Sequence, residues 1–365
     1  MDARDDGPAE LPRAKRFLVV GCGGLGGVAT ALLHEHLAPL GGEVVGFTTN
    51  EGIADAVRAR GVRLCGLEPT RAVKARCVTT LAGESTPFDA VILATQPPQV
   101  EDAARSALPH LADDGLMVVL QNGLCEERVA RIAGAARTLG AVVGWGATMP
   151  EPGRYERTAA GGFTLGRLDG GDDPRQRAVG AALECIGPVT YTANLAGARW
   201  SKLAINCTVS TLGTLGGERL GVLMRSITVR RLALRIMTEV VRVAAVEAVR
   251  LEKVSGTLDL DWMALTDAEL RSAGSASLVA KHAMLLAVGA RFRRMRSSML
   301  SAIERGRPPA VDFLNGEVVD RGLRHGVPTP VNARARELVH EIARGARRSS
   351  METIRALAAE TLSPA

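Results

Sequence analysis

Short runs of consecutive apolar residues, each closed by a Gly- or Pro-marked turn, punctuate the first half of the chain. Residues 17–20, 43–47, 90–94, 116–120 and 141–144 each predict a strand. Their apolar positions are continuous rather than alternating. That predicts strands buried on both faces, hence a mostly parallel sheet with helices on either side. The first helix is predicted over 27–37, and Thr95-Gln96-Pro97-Pro98 reads as a loop. After Pro150 the pattern changes, with short strands expected within 153–167 and at 189–191 around one helix at 175–185. From Ala196 onward only helical periodicity recurs, broken at Gly216-Gly217, Ser255-Gly256, 306–309 and 326–330. The expected class is α/β, a doubly wound, mostly parallel sheet domain followed by an all-α domain. The expected division is a disordered tail over 1–14, a sheet domain over 15–193, a helical substrate and dimerisation domain over 194–350, and a terminal helix or tail over 351–365.

Gly21-Cys22-Gly23-Gly24-Leu25-Gly26 fits G-x-G-x-x-G. In a chain with 40 Gly the plain alternative is a glycine turn. Its position between the first strand and the first helix makes it a dinucleotide-binding (Rossmann) signal. Gly21 would permit the tight turn, Gly23 the approach of a pyrophosphate, and Gly26 close helix–strand packing. The helix N-terminus would offer its free amides to the phosphates. After the second strand come Thr48-Thr49-Asn50, where an NAD enzyme usually carries an acid. Hydroxyls and an amide suit a 2′-phosphate, and no carboxylate intervenes before Glu51, although no Arg is present either. NADPH is therefore the expected cofactor, with NADH the alternative.

Composition narrows the class without naming a function. A chain of 365 residues with 46% apolar and 23% charged residues is long enough for two globular domains. No run reaches the roughly 18 apolar residues of a membrane span. Asp2, Asp5, Asp6 and Glu10 exclude a signal peptide at the start of this sequence. Six cysteines without CxxC pairing suggest reduced thiols and a cytoplasmic location, and no metal-ligand cluster is apparent. The net charge of +6 comes from scattered arginines; Arg291, Arg293, Arg294 and Arg296 cluster, which reads as a solvated helix face rather than a phosphate contact. Aromatics at 3% are too few for base stacking, so no nucleic-acid partner is expected. The apolar stretch 227–248 suits a homodimer, or equally the core of a monomer.

Trp200-Ser201-Lys202-Leu203-Ala204-Ile205-Asn206-Cys207 opens the helical half and holds one of only five lysines. Lys202 and Asn206 are four apart and share a helix face. An ammonium among apolar neighbours could protonate a carbonyl oxygen as hydride arrives, its pKa lowered by desolvation, while Asn206 orients the substrate. The plain alternative is a solvated lysine on an amphipathic helix.

Several segments together resemble the ketopantoate reductase family over about residues 15–338. They are Val20-Gly21-Cys22-Gly23-Gly24-Leu25-Gly26, Gln121-Asn122-Gly123, Arg199-Trp200-Ser201-Lys202-Leu203-Ala204-Ile205-Asn206-Cys207, Ser297-Ser298-Met299-Leu300, Asp312-Phe313-Leu314-Asn315-Gly316-Glu317-Val318-Val319, and His325-Gly326-Val327-Pro328-Thr329-Pro330-Val331-Asn332. The resemblance implies a Rossmann domain joined to a helical domain like that of 6-phosphogluconate dehydrogenase, and reduction of a small-molecule 2-keto acid by NADPH. It implies that Lys202 is the catalytic proton donor, that Asn122 lies beside nicotinamide and substrate, and that Asn206 and Ser298 contact substrate.

The chain also departs from that family. Ser210 and Met295 stand where pantoate-forming members carry Asn, and Ala310 where they carry Glu. Thr49 and Gln96 replace an Arg and a Lys expected near the 2′-phosphate. Loss of two amides makes the substrate pocket less polar, and such a loss weakens recognition of a polar substrate. The expected function is therefore reduction of a different 2-keto acid, ketone or imine, with Asp312 or Glu317 replacing the missing carboxylate or else serving as surface charge or cap. The alternatives are a genuine 2-dehydropantoate 2-reductase and a non-catalytic nucleotide-binding scaffold.

Overall fold

The computed structural model describes residues 15–253, 258–271 and 274–362. The expected tail at 1–14 and the expected break at Ser255-Gly256 fall outside the described residues. The chain divides into two compact units. One comprises the residues up to Gln121 together with Cys125–Leu195, and the other Asn122–Leu124 together with Ala196 onward.

The strands of the first unit are β1 (Arg16–Val20), β2 (Glu43–Phe47), β3 (Val62–Gly66), β4 (Arg71–Val73), β5 (Arg76–Val78), β6 (Phe88–Leu93), β7 (Leu111–Val119), β8 (Thr138–Val143), β9 (Gly146–Glu151), β10 (Arg154–Ala159), β11 (Phe163–Arg167) and β12 (Val189–Thr192). Its helices are α1 (Gly24–Leu37), α2 (Glu51–Arg60), α3 (Val100–Ala107), α4 (Cys125–Ala133) and α5 (Pro174–Leu183). Eight strands form one sheet in the order β12-β11-β8-β7-β6-β1-β2-β5. From β5 to β8 every neighbouring pair is parallel. Numbered along the chain, that part reads 3-2-1-4-5-6, the strand order of dinucleotide-binding sheets. At the far edge β11 runs antiparallel to β8 and parallel to β12. The central strands are apolar because both faces are covered: Phe17, Leu18, Val19, Ala90, Val91 and Ile92 are fully buried.

A second sheet, in the order β4-β3-β10-β9, was not expected. Its strands are short and carry Arg63, Arg71, Arg154 and Arg157 among the apolar positions, which blurs any run long enough to read. This sheet explains α1. The helix is apolar all round, and every residue from Gly26 to Leu33 is buried, as befits a helix covered on more than one side. A Cβ on Gly24 would lie 2.6 Å from the Ala147 oxygen on β9, and one on Gly27 2.0 Å from the Tyr155 ring on β10. The helix therefore begins at Gly24 rather than at 27: glycines that cost helix propensity are the residues that let the second sheet close on it.

The helices of the second unit are α6 (Leu195–Gly216), α7 (Leu220–Leu223), α8 (Ile227–Val246), α9 (Leu260–Met263), α10 (Asp267–Arg271), α11 (Ala276–Arg291), α12 (Ser298–Glu304), α13 (Asn315–His325), α14 (Pro330–Ala343) and α15 (Met351–Thr361). They share one core, to which Leu124 and, from α15, Ile354 and Leu357 contribute. Gly123 has φ +90°, and a Cβ there would lie 2.4 Å from the Phe313 oxygen, so glycine is required at that contact.

A buried chain of hydrogen bonds ties four of these helices together. Thr211 on α6 donates to Asn315 Oδ1 on α13 (2.5 Å). The Asn315 amide donates to the Cys207 carbonyl (3.2 Å) and to Asn332 Oδ1 on α14 (2.8 Å). Asn332 Nδ2 donates to Glu239 on α8 (2.7 Å), which also accepts the Val331 and Asn332 backbone amides at the start of α14 (2.9 Å each). Burial raises the Glu239 carboxyl above its ordinary range, against the pull of these donors. Replacing Asn332 with Ala would strand groups on both sides of it. We expect the change to cost about 2–4 kcal/mol, from groups worth roughly 1–3 kcal/mol each when left unsatisfied, read as a lower urea midpoint for the helical unit.

Candidate functional site

In the first unit the glycine turn is shaped by missing atoms. Gly21 has φ +99°, and a Cβ on it would meet the Thr95 amide at 2.8 Å. A Cβ on Gly26 would lie 1.9 Å from the Gly21 oxygen. Around the Cβ position of Gly23, by contrast, there is nothing within 4 Å. Gly23 is the N-cap of α1; no side chain caps it and no acid lies in the first turn. Helix geometry leaves the first amides without intrahelical acceptors and gives that end partial positive charge. Open space in front of such an end fits a pyrophosphate. Cys22 is buried, with its carbonyl accepting from the Tyr155 hydroxyl (3.1 Å), and Leu25 packs against the sheet core.

At the end of β2 the polar side chains are partly committed. Asn50 Oδ1 accepts the Ile53 amide (3.1 Å), capping α2, and Thr48 Oγ1 accepts the Asn50 amide (3.3 Å). Thr49 is exposed, and so is Gln96 beyond β6. What remains for a ribose or its phosphate is the Thr49 hydroxyl, the Asn50 amide nitrogen and Gln96. Gln121, at the end of β7, donates to Thr95 Oγ1 (3.1 Å) and links two strand ends beside the turn.

In the second unit the site residues follow from the rotation of α6. Trp200, Leu203, Ala204, Cys207, Thr208, Thr211, Thr214 and Leu215 are buried on its back. At 100° per residue, Lys202 falls opposite these, and Asn206 and Ser210 follow at i+4 and i+8, stepping round toward the flank; all three are half-buried. The Asn206 Nδ2 atom is buried with no hydrogen-bond partner among the described residues. Gly213 continues the same face, where a Cβ would lie 2.9 Å from Ser297 Cβ. Ser297 caps α12 by accepting the Leu300 amide (3.2 Å) and donates to the Ser210 carbonyl (2.7 Å). Asn122 belongs to this same unit.

Other expected site residues lie differently. Ser298 is exposed in the first turn of α12, and Met295 is an exposed thioether in the preceding loop. Asp312 is engaged by Arg336 (2.6 Å) and His340 (3.0 Å); burial pushes its carboxyl up, and these two partners hold it below its ordinary range. Glu317 accepts from Arg321 (2.9 Å). Arg291, Arg293, Arg294 and Arg296 are exposed, and Arg296 pairs with Glu304. Sequence reasoning missed Ser297 and Tyr155. The capping role of Ser297 leaves a trace in the Ser-Ser-Met-Leu run; Tyr155, one of two tyrosines in the chain, leaves none.

The family described as ketopantoate reductase PanE/ApbA matches residues 17–170, and its C-terminal counterpart residues 194–343. The 2-dehydropantoate 2-reductase of Halobacterium salinarum is 28% identical over 328 residues, 89% of this chain and 97% of that protein. That of Mycobacterium tuberculosis is 28% identical over 327 residues, 87% and 95% of the two chains. Among solved structures, a PanE/ApbA family ketopantoate reductase from Ralstonia eutropha superposes with a TM-score of 0.73 at 23% identity, covering 90% of this chain and 99% of its own. D-mandelate dehydrogenase, solved with NADH and anilino(oxo)acetate, gives 0.74 at 19% identity, covering 94% and 99%. With both of its sequence signatures on one chain and the fold to match, the protein belongs to the ketopantoate reductase family.

Proposed function

We propose that the protein is an NADPH-dependent reductase acting on the carbonyl of a 2-keto acid or a related carbonyl or imine, with Lys202 as proton donor. The observation that carries this reading is the front of α6. There a lysine, in a chain with five, lies on the same stripe as an asparagine whose buried amide nitrogen has no hydrogen-bond partner among the described residues. Buried polar atoms are almost always satisfied in native proteins, and a substrate oxygen would satisfy this one. Asn206 would donate to a substrate oxygen, and Lys202 would protonate the oxygen or nitrogen on which charge develops. Asn122, from the same unit, would orient the reacting groups. A bound reduced nicotinamide supplies the hydride; the glycine turn and the amides of α1 would hold its pyrophosphate.

A reducing cytoplasm is the proposed location, and among the described residues no helix is long and apolar enough to cross a membrane. The outer stripe of α11, with Val279, Ala283, Leu286 and Ala290 exposed at i, i+4, i+7 and i+11, supports a homodimer, which sedimentation velocity tests.

A second reading, a genuine 2-dehydropantoate 2-reductase, is favoured by the names of the relatives and opposed by Ser210, Met295 and Ala310. Steady-state kinetics with ketopantoate separate the two. The first reading predicts a kcat/KM well below the ordinary range of about 10⁴ M⁻¹s⁻¹ and above, and a value within that range would establish the second.

Lys202→Ala is expected to lower kcat about 10²- to 10⁴-fold, the usual worth of a positioned acid. A loss under about tenfold, roughly 1.4 kcal/mol, removes Lys202 from that role. Thr49→Arg should improve kcat/KM for NADPH about tenfold or more, through a charge-assisted hydrogen bond of roughly 1.5–3 kcal/mol, and leave NADH unchanged. Equal gains with both dinucleotides would move the 2′-phosphate away from position 49.

A further inference from the structure

The glycine turn contains a thiol that the proposed reaction does not use. Cys22 Sγ lies 3.7 Å from Cys77 Sγ, although the residues are 55 apart in sequence. Cys22 follows the end of β1 and Cys77 lies on β5, and β2 separates those two strands. Contact across β2 is possible because Gly46 stands in register with Cys77, and a Cβ on Gly46 would lie 2.9 Å from the Cys22 sulfur. A glycine on the intervening strand thus opens a lane between two sulfurs.

The two thiols are unequal. Cys22 is buried and Cys77 half-buried, so Cys77 is the one that solvent reaches. The hydrogen bond between the two sulfurs holds the Cys77 thiol below its ordinary range against the effect of burial, and Arg58 adds to the lowering. That bond, with burial, pushes the Cys22 thiol up. Elsewhere burial pushes Cys185 up to about 12 and Cys207 well above the usual range, which makes both poor nucleophiles.

We propose that Cys22 and Cys77 form a reversible disulfide on exposure to a hydroperoxide, and that the disulfide disables the glycine turn for dinucleotide binding. The second half of this proposal rests on the cofactor reading above. The Cys77 thiolate attacks one peroxide oxygen, and the O–O bond breaks, giving a sulfenic acid and hydroxide, which takes up a proton. Cys22 sulfur then attacks the sulfenic sulfur, the S–O bond breaks, and the departing hydroxide takes the Cys22 proton. Two thiols lose two electrons, and one hydrogen peroxide becomes two waters. An S–S bond of about 2.05 Å requires the sulfurs to close by roughly 1.6 Å. The turn has little slack for that movement. The Gly21 amide is bonded to the Phe47 carbonyl (2.8 Å), the Cys22 carbonyl to Tyr155, and Gly21 is wedged against Thr95. Closing the bond therefore displaces the backbone that frames the amides of α1.

The test uses the full chain, reduced and then treated with hydrogen peroxide. Dinucleotide affinity is read by NADPH fluorescence titration, and the crosslink by mass spectrometry of proteolytic peptides. The expected result is a Cys22–Cys77 linked peptide, a Kd for NADPH at least tenfold weaker, and restoration of both by dithiothreitol. Cys77→Ser should bind NADPH like the reduced parent and lose the peroxide response. Absence of the linked peptide, or a linked protein whose Kd stays within twofold, overturns the proposal. Failure of the reduced protein to bind NADPH would instead overturn the cofactor reading and with it the second half, the peptide still reporting on the disulfide.

Discussion

The helical unit is organised around a carboxylate in its interior that caps a helix. A buried charge is costly unless hydrogen bonds replace its water. Glu239 obtains them from two backbone amides of α14 and from Asn332, and Asn332 passes the connection through Asn315 to Thr211. Thr211 lies two and a half turns along α6 from Lys202, on the opposite side of the helix. The network therefore grips α6 from behind, and its rotation is set by hydrogen-bond geometry as well as by apolar packing. A helix held by Leu and Ala contacts alone could roll by some degrees at little cost. One pinned by directional bonds at its back presents Lys202, Asn206 and Ser210 in a fixed orientation, as a site depending on sub-ångström placement requires.

The sheet unit reaches a comparable rigidity by the opposite means. Around the glycine turn precision comes from omission. Gly21, Gly24 and Gly26 each bring backbone against backbone at distances no Cβ would allow, while Gly23 leaves a gap facing outward. Tyr155, from a sheet that the main strands do not form, ties its hydroxyl to the turn through the Cys22 carbonyl. One unit thus places its chemistry by a polar network and the other by close approach of main chain.

The legibility of the sequence follows the same division. The central strands were readable because burial on both faces forces unbroken apolar runs such as Phe17-Leu18-Val19-Val20. The second sheet was not, since arginines such as Arg63, Arg71, Arg154 and Arg157 interrupt its strands and mask any apolar run. The pairing of Lys202 with Asn206 was visible as an i, i+4 spacing, and the scarcity of lysine drew attention to it, whereas Ser210 entered only through the family likeness. The engagement of Asp312 by Arg336 and His340 was invisible, because those partners lie 24 and 28 residues further on and no local rule joins them. Asn315 and Asn332 had been legible only as parts of a family likeness; the structure gives them a physical task, the satisfaction of a buried carboxylate.

The three residues Asn122–Leu124 have a bearing on how this chain can be divided. They follow β7 and precede α4, yet they belong to the helical unit, where Gly123 meets Phe313 and Leu124 enters the apolar core. The helical half is therefore not a contiguous stretch of sequence. A fragment cut to begin at Ala196 would carry a leucine-sized void and would lack Asn122 as well. Recombination that exchanges only the C-terminal half between relatives would pair each new core with an old tripeptide, so that tripeptide and core must vary together.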